Sequence, residues 1–247
     1  MNELIIIALA SFLIAGVGLY SGFGLATLLM PIFALFFPLS TSIAATAIVH
    51  LVTNIFKLTL FYKNINWSIV ARFGIPALIT SFLGSLLLTN ISQNGIVLEK
   101  VIGLLIIAFA LFEIIPVLRK IKIDQKWLVV GGSLSGFFGG LSGHQGALRS
   151  VFLLKTKTST NSFSATGVVI AILVDIARLF VYGTNILSFS TIRNANLESG
   201  LLIAIGASLL GVIVANSFKK KITLNFVRNL VAGLMLLIGV LILLGII

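Results

Sequence analysis

Long apolar runs separated by short basic segments leave this chain few folds to choose from. A membrane-spanning helix needs about 20 apolar residues. Six stretches approach that length: 43–62, 69–89, 97–118, 163–182, 199–216 and 226–246. Only 9% of the 247 residues are charged and 59% are hydrophobic, whereas a soluble domain carries about 25% charged residues. So few polar groups cannot cover a surface that faces water, and the chain reads as an all-α polytopic membrane protein. The net charge of +11 would point to nucleic acid in a soluble protein. Here the basic residues fall between the apolar stretches, where the positive-inside rule accounts for them. Membrane lipid, not nucleic acid, is the expected partner. The absence of cysteine excludes thiol chemistry, disulfides and thiolate-held metals.

Two further regions are apolar but interrupted. Residues 4–37 are too long for one span and are broken at "GLYSGFG" (18–24); residues 128–155 are broken at "GGLSGHQG" (139–146). Each divides into two arms of roughly 10–17 residues, which suits a re-entrant helical hairpin better than two full crossings. The run after Met1 has Glu3 as its sole preceding charge and lacks the basic start of a signal peptide. It is expected to be a membrane segment that is retained.

The halves also resemble each other. At a shift of 120, Gly16 falls on Gly136, Ala45-Thr46 on Ala165-Thr166, and Tyr62 on Tyr182; after an insertion, Ser81 to Gly84 fall on Ser208 to Gly211, and Gly103 on Gly233. The expected organisation is one membrane domain of two repeats with eight to ten membrane segments. Residues 1–124 hold a hairpin at 4–37 and helices 43–62, 69–89 and 97–118. Residues 125–247 hold a hairpin at 128–155 and helices 163–182, 199–216 and 226–246. If each repeat is a hairpin plus three spans, the second is inverted. Lys63, Arg72, Arg119, Lys120, Lys122, Lys126, Lys155, Lys157, the Lys219–Lys221 run and Arg228 then share one side, and only Lys100 and Arg193 lie opposite. A single crossing for each broken region would divide the same residues evenly. The charge rule therefore favours inverted repeats with both termini outside the cytoplasm, a recurrent design of secondary transporters.

Polar residues inside such a domain are candidates for function. The returning arm of each hairpin starts near the protein centre. Its first N–H groups lack internal partners and carry the positive end of the helix dipole, which favours an anion. Gly22 and Gly24 in the first turn, and Gly143 and Gly146 in the second, would let backbone approach a ligand, while Ser21, Thr27 and Ser142 could add hydroxyls. Arg149, in the first turn of the second returning arm, is the expected main substrate cation, because its planar fork holds carboxylate or sulfur oxyanions bidentately; a structural pairing with a carbonyl or Asp175 is the alternative. His144 and Gln145 sit at the tip, where the histidine could bind substrate or carry protons. Asp175 and Arg178, three apart on one helix face, form either a mutual salt bridge or a proton relay and gate. Asn54 and His50 are possible cavity-lining residues. Lys57 is another, although it lies near enough to the end of its span to snorkel.

No Walker loop, GxSxG or HExxH occurs, and no carboxylates are set for acid–base work. No cofactor or metal site is expected, and the chain is not expected to be an enzyme. A small anion is the expected substrate. A passive anion channel on the same scaffold is the alternative, and an intramembrane enzyme built around His144, Asp175 and Arg178 is a more distant one.

The residues "GFGLATLLMP" (22–31), and "GFFGGLSGHQGALRSVFLL" (136–154) followed by Asp175-Ile-Ala-Arg178, resemble the TauE/SafE sulfite exporter family over essentially the whole chain. The second motif matches a subgroup marked by "GHQGALRS", with His-Gln-Gly in place of a commoner Gly-Gly-Gly turn and Val151 where a proline is usual. The resemblance implies a permease of a bacterial or archaeal cytoplasmic membrane. It also implies substrates such as sulfite, thiosulfate, sulfonates or related acids, and coupling to the proton motive force.

Overall fold

The structure is a computed structural model that describes residues 2–21, 25–115, 123–153, 156, 159–187, 195–218 and 224–246. Among these residues there are ten principal helices and no strand. They are α1 (Asn2–Ser21), α2 (Leu25–Ala34), α3 (Leu39–Phe61), α4 (Trp67–Ile91), α5 (Gly95–Ile114), α6 (Leu128–Ser142), α7 (Gly146–Leu153), α8 (Thr160–Asn185), α9 (Ala195–Phe218) and α10 (Leu224–Leu243). The six expected spans coincide with α3, α4, α5, α8, α9 and α10 to within about one turn. Local chemistry sets several of the starts. Asn66, Asn94 and Ser159 each accept a backbone N–H in the first turn of α4, α5 and α8, at 3.2 Å, the usual service of an N-cap side chain. Inside α4, a wider π turn at Val70–Gly74 ends two residues before Pro76. A proline supplies no N–H and crowds the carbonyl four residues back, and the wider turn relieves that conflict.

The first broken region differs from expectation. α1 runs unbroken for 20 residues, about 30 Å, where an arm of 10–17 was expected. Gly16 and Gly18 remain helical, since a lone glycine weakens a helix without ending it. By length and composition α1 joins α3, α4, α5, α8 and α9 as able to cross a membrane; in α10 the apolar part so described is the shorter Ala232–Leu243. α2, α6 and α7, with 10, 15 and 8 residues, reach only about 15, 22 and 12 Å. The hydrocarbon core is about 30 Å thick.

The distribution of side chains is that of a protein in lipid. Leu9, Leu13, Ile79, Leu104, Phe180, Leu202 and Leu237 are exposed, while His50, Lys57, Arg149, Asp175 and Arg178 are buried. Water would penalise that apolar surface, and lipid does not. It follows that the protein is an integral membrane protein.

Between the helices, small residues bring backbones together. α4 lies along α6, α1 along α9, α5 along α10 and α3 along α8. α6 presents Gly132, Gly136 and Gly140 at four-residue intervals, and a Cβ at any of them would fall on the backbone of Phe73, Ala77 or Ser81 in α4. Lipid tails are as apolar as leucine, so close packing of small residues has to replace the hydrophobic drive between membrane helices. Polar stitches add to it: the Thr80 hydroxyl donates to the Ser133 carbonyl at 2.7 Å, and that of Ser81 to the Val174 carbonyl at 3.0 Å. On the other side, a Cβ at Gly211 in α9 would fall on the Phe12 carbonyl of α1. Gly136→Val is expected to lower the stability of the purified protein by about 1–3 kcal/mol or more through overpacking, whereas Gly206→Ala, whose Cβ meets nothing within 4 Å, is expected to keep it or raise it by up to about 1 kcal/mol. Thermal unfolding in detergent or nanodiscs checks both.

Candidate functional site

The second hairpin turns at Gly143, whose φ of +82° is left-handed and unstrained only for glycine. Its N–H donates to the Gly139 carbonyl at 3.0 Å, closing α6. The Gln145 carbonyl then opens α7, accepting the Arg149 N–H and the Ser135 hydroxyl, each at 3.0 Å. A Cβ at Gly143 would stand 3.0 Å from Nη1 of Arg178 and 3.8 Å from Cβ of Ala26. The turn therefore sits between α8 and the start of α2, and the two hairpins meet there.

Behind the turn, Asp175, Arg178 and Tyr182 follow at i, i+3 and i+7 on one face of α8, all fully buried. One oxygen of Asp175 accepts from Nε of Arg178 at 3.0 Å, and Nη2 lies 2.7 Å from the same oxygen. The other oxygen lies 2.6 Å from Nδ1 of His50 on α3. Arg178 also reaches the Gly139 carbonyl at 3.5 Å, and the Tyr182 hydroxyl donates to the Gly140 carbonyl. The cation and the hydroxyl thus close the C-terminal end of α6, where carbonyls lack helical partners. One carboxylate ties α3 to α8, and Arg178 ties α8 to the hairpin.

In front of this cluster lies a cavity. His50, Asn54 and Lys57 line it from α3, and Arg149 from α7; Phe163, Ser164, Gly167 and Val168 line it from α8, and Gly18, Leu19 and Leu25 from α1 and α2. Its volume is about 30 Å³, room for about two waters. Its two cations are buried, Lys57 at 5% and Arg149 at 6% exposure, and they are close enough to repel each other. Among the described lining residues there is no Asp or Glu. Asp175, engaged by Arg178 and His50, also acts on Arg149. Nη1 of Arg149 donates to Oε1 of Gln145 at a long 3.5 Å. Gly167 lies beside the guanidinium; a Cβ there would be 3.5 Å from Nε. The side-chain nitrogen of Asn54, 4% exposed, finds no hydrogen-bond partner among the described residues.

The sequence candidates divide in this geometry. Arg149, His50, Asn54 and Lys57 come together at the cavity. Lys57 does not snorkel: it is buried and faces the protein interior. His144 stacks on Phe109 with ring centroids 5.4 Å apart, and its Nδ1 meets the Ser142 carbonyl at 3.0 Å. Ser142 donates to the Phe138 carbonyl, and Thr27 is half-buried in α2. None of His144, Gln145, Ser142, Gly143, Gly146 or Thr27 lines the cavity, although Gln145 touches it through Arg149. Asp175 and Arg178 form the mutual ion pair that their spacing offered. Gly22 and Gly24 lie outside the described residues, as does the side chain of Ser21. Ser164, Gly167 and Tyr182 carry contacts that the sequence reading did not assign. The signal for them was available: residues 164, 167, 168, 175, 178 and 182 recur on one stripe of α8 at helical spacing, as His50, Asn54 and Lys57 do on α3.

A helical membrane domain with buried cations facing a central cavity has the form of a transporter of polar solutes. Residues 7–242 match the family Sulfite exporter TauE/SafE, and the chain belongs to that family of membrane transporters. No curated protein and no solved structure matches it.

The ion cluster has a measurable consequence for stability. Asp175→Leu leaves Arg178 as an uncompensated buried charge and is expected to cost about 3–5 kcal/mol. Adding Arg178→Met removes the charge as well and is expected to recover most of that loss, read by thermal unfolding of the single and double variants.

Proposed function

We propose that the protein is a secondary transporter that carries a small anion across the cytoplasmic membrane by alternating access. The expected substrate is a sulfur-containing oxyanion, an organosulfonate or an organic acid, and transport is coupled to the proton motive force. The observation that carries this reading is the cavity with two buried cations and no carboxylate among its described lining residues. A cation at membrane depth costs at least about 2.5–3.5 kcal/mol, and two that share a cavity repel. A bound anion relieves both penalties. Arg149 supplies a planar fork to two oxygens, Lys57 a point charge, and Asn54 and Ser164 an amide and a hydroxyl. The small open volume suits a compact ion such as sulfite. Gln145 orients Arg149, while the glycines of the two turns and Ser21, Thr27, Ser142 and His144 belong to the surrounding hairpin machinery.

The reading includes two inverted repeats, α1–α5 and α6–α10. Related by a two-fold axis in the membrane plane, they would make α1–α9 and α4–α6 the same contact twice, with α3–α8 and α5–α10 on the axis. The contacts between these four helix pairs support the reading. In detail, a Cβ at Gly84 would fall on the Phe137 carbonyl as one at Gly211 would on that of Phe12. Two such halves can exchange conformations and open one site to each side in turn. Both termini then lie outside the cytoplasm.

In proteoliposomes loaded against a sulfite gradient, Arg149→Ala is expected to abolish flux while leaving thermal stability near that of the parent. Lys57→Met is expected to raise the half-saturating concentration about tenfold, the loss of about 1.4 kcal/mol of binding. Unchanged flux in Arg149→Ala would remove that residue from the site. Uptake stimulated by anion on the opposite face identifies a transporter, and a steady current without such exchange identifies a channel. The chain has no native cysteine, so topology can be read from single replacements. Cysteine at Lys126 is expected to react with an impermeant maleimide from the cytoplasmic side, and at Lys100 from the outside.

A further inference from the structure

We propose that His50 is the residue through which the proton enters the transport cycle: it receives the anion only when its Nε2 is protonated, and Asp175 is its positioning residue. The proposal rests on the anion-transport reading above.

Three observations combine here. First, Nδ1 of His50 lies 2.6 Å from Asp175, whose other oxygen meets Nε and Nη2 of Arg178. An ionised carboxylate only accepts hydrogen bonds, so this contact requires the imidazole hydrogen on Nδ1. The neutral ring then carries its lone pair on Nε2. Second, His50 lines the cavity that also holds Lys57 and Arg149. With Nδ1 held by Asp175, the edge of the ring left for the cavity is the one bearing Nε2. Third, His144, the other histidine of the chain, is not among the residues lining this cavity and is engaged by Phe109 and Ser142.

Neutral His50 therefore offers an anion a lone pair, which repels its oxygens. When water delivers a proton to Nε2, the imidazole becomes imidazolium. Nδ1–H stays on Asp175, and Nε2–H becomes a donor to the anion. One proton enters with each anion, and the proton returns to water when the anion leaves. Linkage is reciprocal, so a bound anion holds the proton as firmly as the proton holds the anion.

The charges acting on His50 are Asp175 and Arg178 from α8 and Lys57 from its own helix. α7 adds Arg149 at the same cavity, while α1 and α2 line it with the uncharged Gly18, Leu19 and Leu25. α5 and α9 also meet α3. Their described charges near the helix starts are Glu99, half-buried, and Lys100 and Glu198, both exposed. None of these groups replaces Asp175 as the acceptor for Nδ1.

The test uses the full-length protein in lipid nanodiscs. Sulfate and methanesulfonate serve as probes whose own charge is constant where histidine titrates, about pH 5 to 8, and sulfite serves as a third ligand. Calorimetry in buffers of different ionisation enthalpy counts the protons. Wild type is expected to take up close to one proton per anion, with affinity rising by up to about tenfold per unit fall in pH. His50→Gln is expected to keep weaker binding that no longer varies with pH. Asp175→Asn is expected to keep binding with a displaced pH profile, which loss of structural support alone would not produce.

Should His50→Gln fail to fold, His144→Asn leaves His50 as the single imidazole, and its ¹⁵N signals report protonation directly. Anion addition is expected to convert the Nδ1–H tautomer to imidazolium. Anion binding without proton uptake, uptake that survives in His50→Gln, or signals unchanged by anion would each overturn the proposal and leave the Lys57–Arg149 site standing. Failure of all three anions to bind at any pH would overturn the proposal and the transport reading together.

Discussion

A carboxylate that leaves water for a hydrocarbon interior needs partners for both oxygens, and Asp175 has them. Arg178, one turn along the same helix, cancels its charge. His50 comes from another helix, 125 positions earlier in the chain. Because the penalty for leaving either oxygen bare is large, this contact fixes how α3 and α8 cross. Arg178 and Tyr182 in turn hold the end of α6. The cavity depends on the same arrangement, since the carboxylate is spent on that cluster. Lys57 and Arg149 face the open space from α3 and α7.

That electrostatic arrangement needs close helices, and hydrophobicity does not supply them. Membrane helices gain little by exchanging lipid for one another. The glycine stripe of α6 lets the α4 backbone approach within contact distance; the Thr80 hydroxyl reaches the Ser133 carbonyl across that gap, and the Ser81 hydroxyl reaches the Val174 carbonyl of α8. The short α6 is therefore supported along its length by the longer α4.

Much of the helical layout was legible in the residues. The six expected spans fall on α3, α4, α5, α8, α9 and α10 because an apolar run of that length has no alternative to helix in lipid. The break at Gly143 was legible for the same local reason, a glycine able to take positive φ. The end of the first arm was less so, because the expected break began at Gly18, which remains helical within α1. Of the site, Arg149 stood out as a lone charge in an apolar setting. The Asp175–Arg178 pair was visible in its three-residue spacing. For Lys57 the sequence left cavity lining and snorkelling both open, since position along a helix does not say toward which side a side chain leans.

The sequence alone determined the solvent, lipid, and with it the secondary structure, because both follow from composition and spacing along the chain. It also supplied the surplus of interior cations. Only the tertiary structure decided which of those charges join the Asp175 cluster and which line the cavity. That choice turns on α3 meeting α8 so that His50 reaches Asp175, while His144 turns away toward Phe109. Pairing between helices far apart in sequence depends on through-space distances, and no local pattern encodes them.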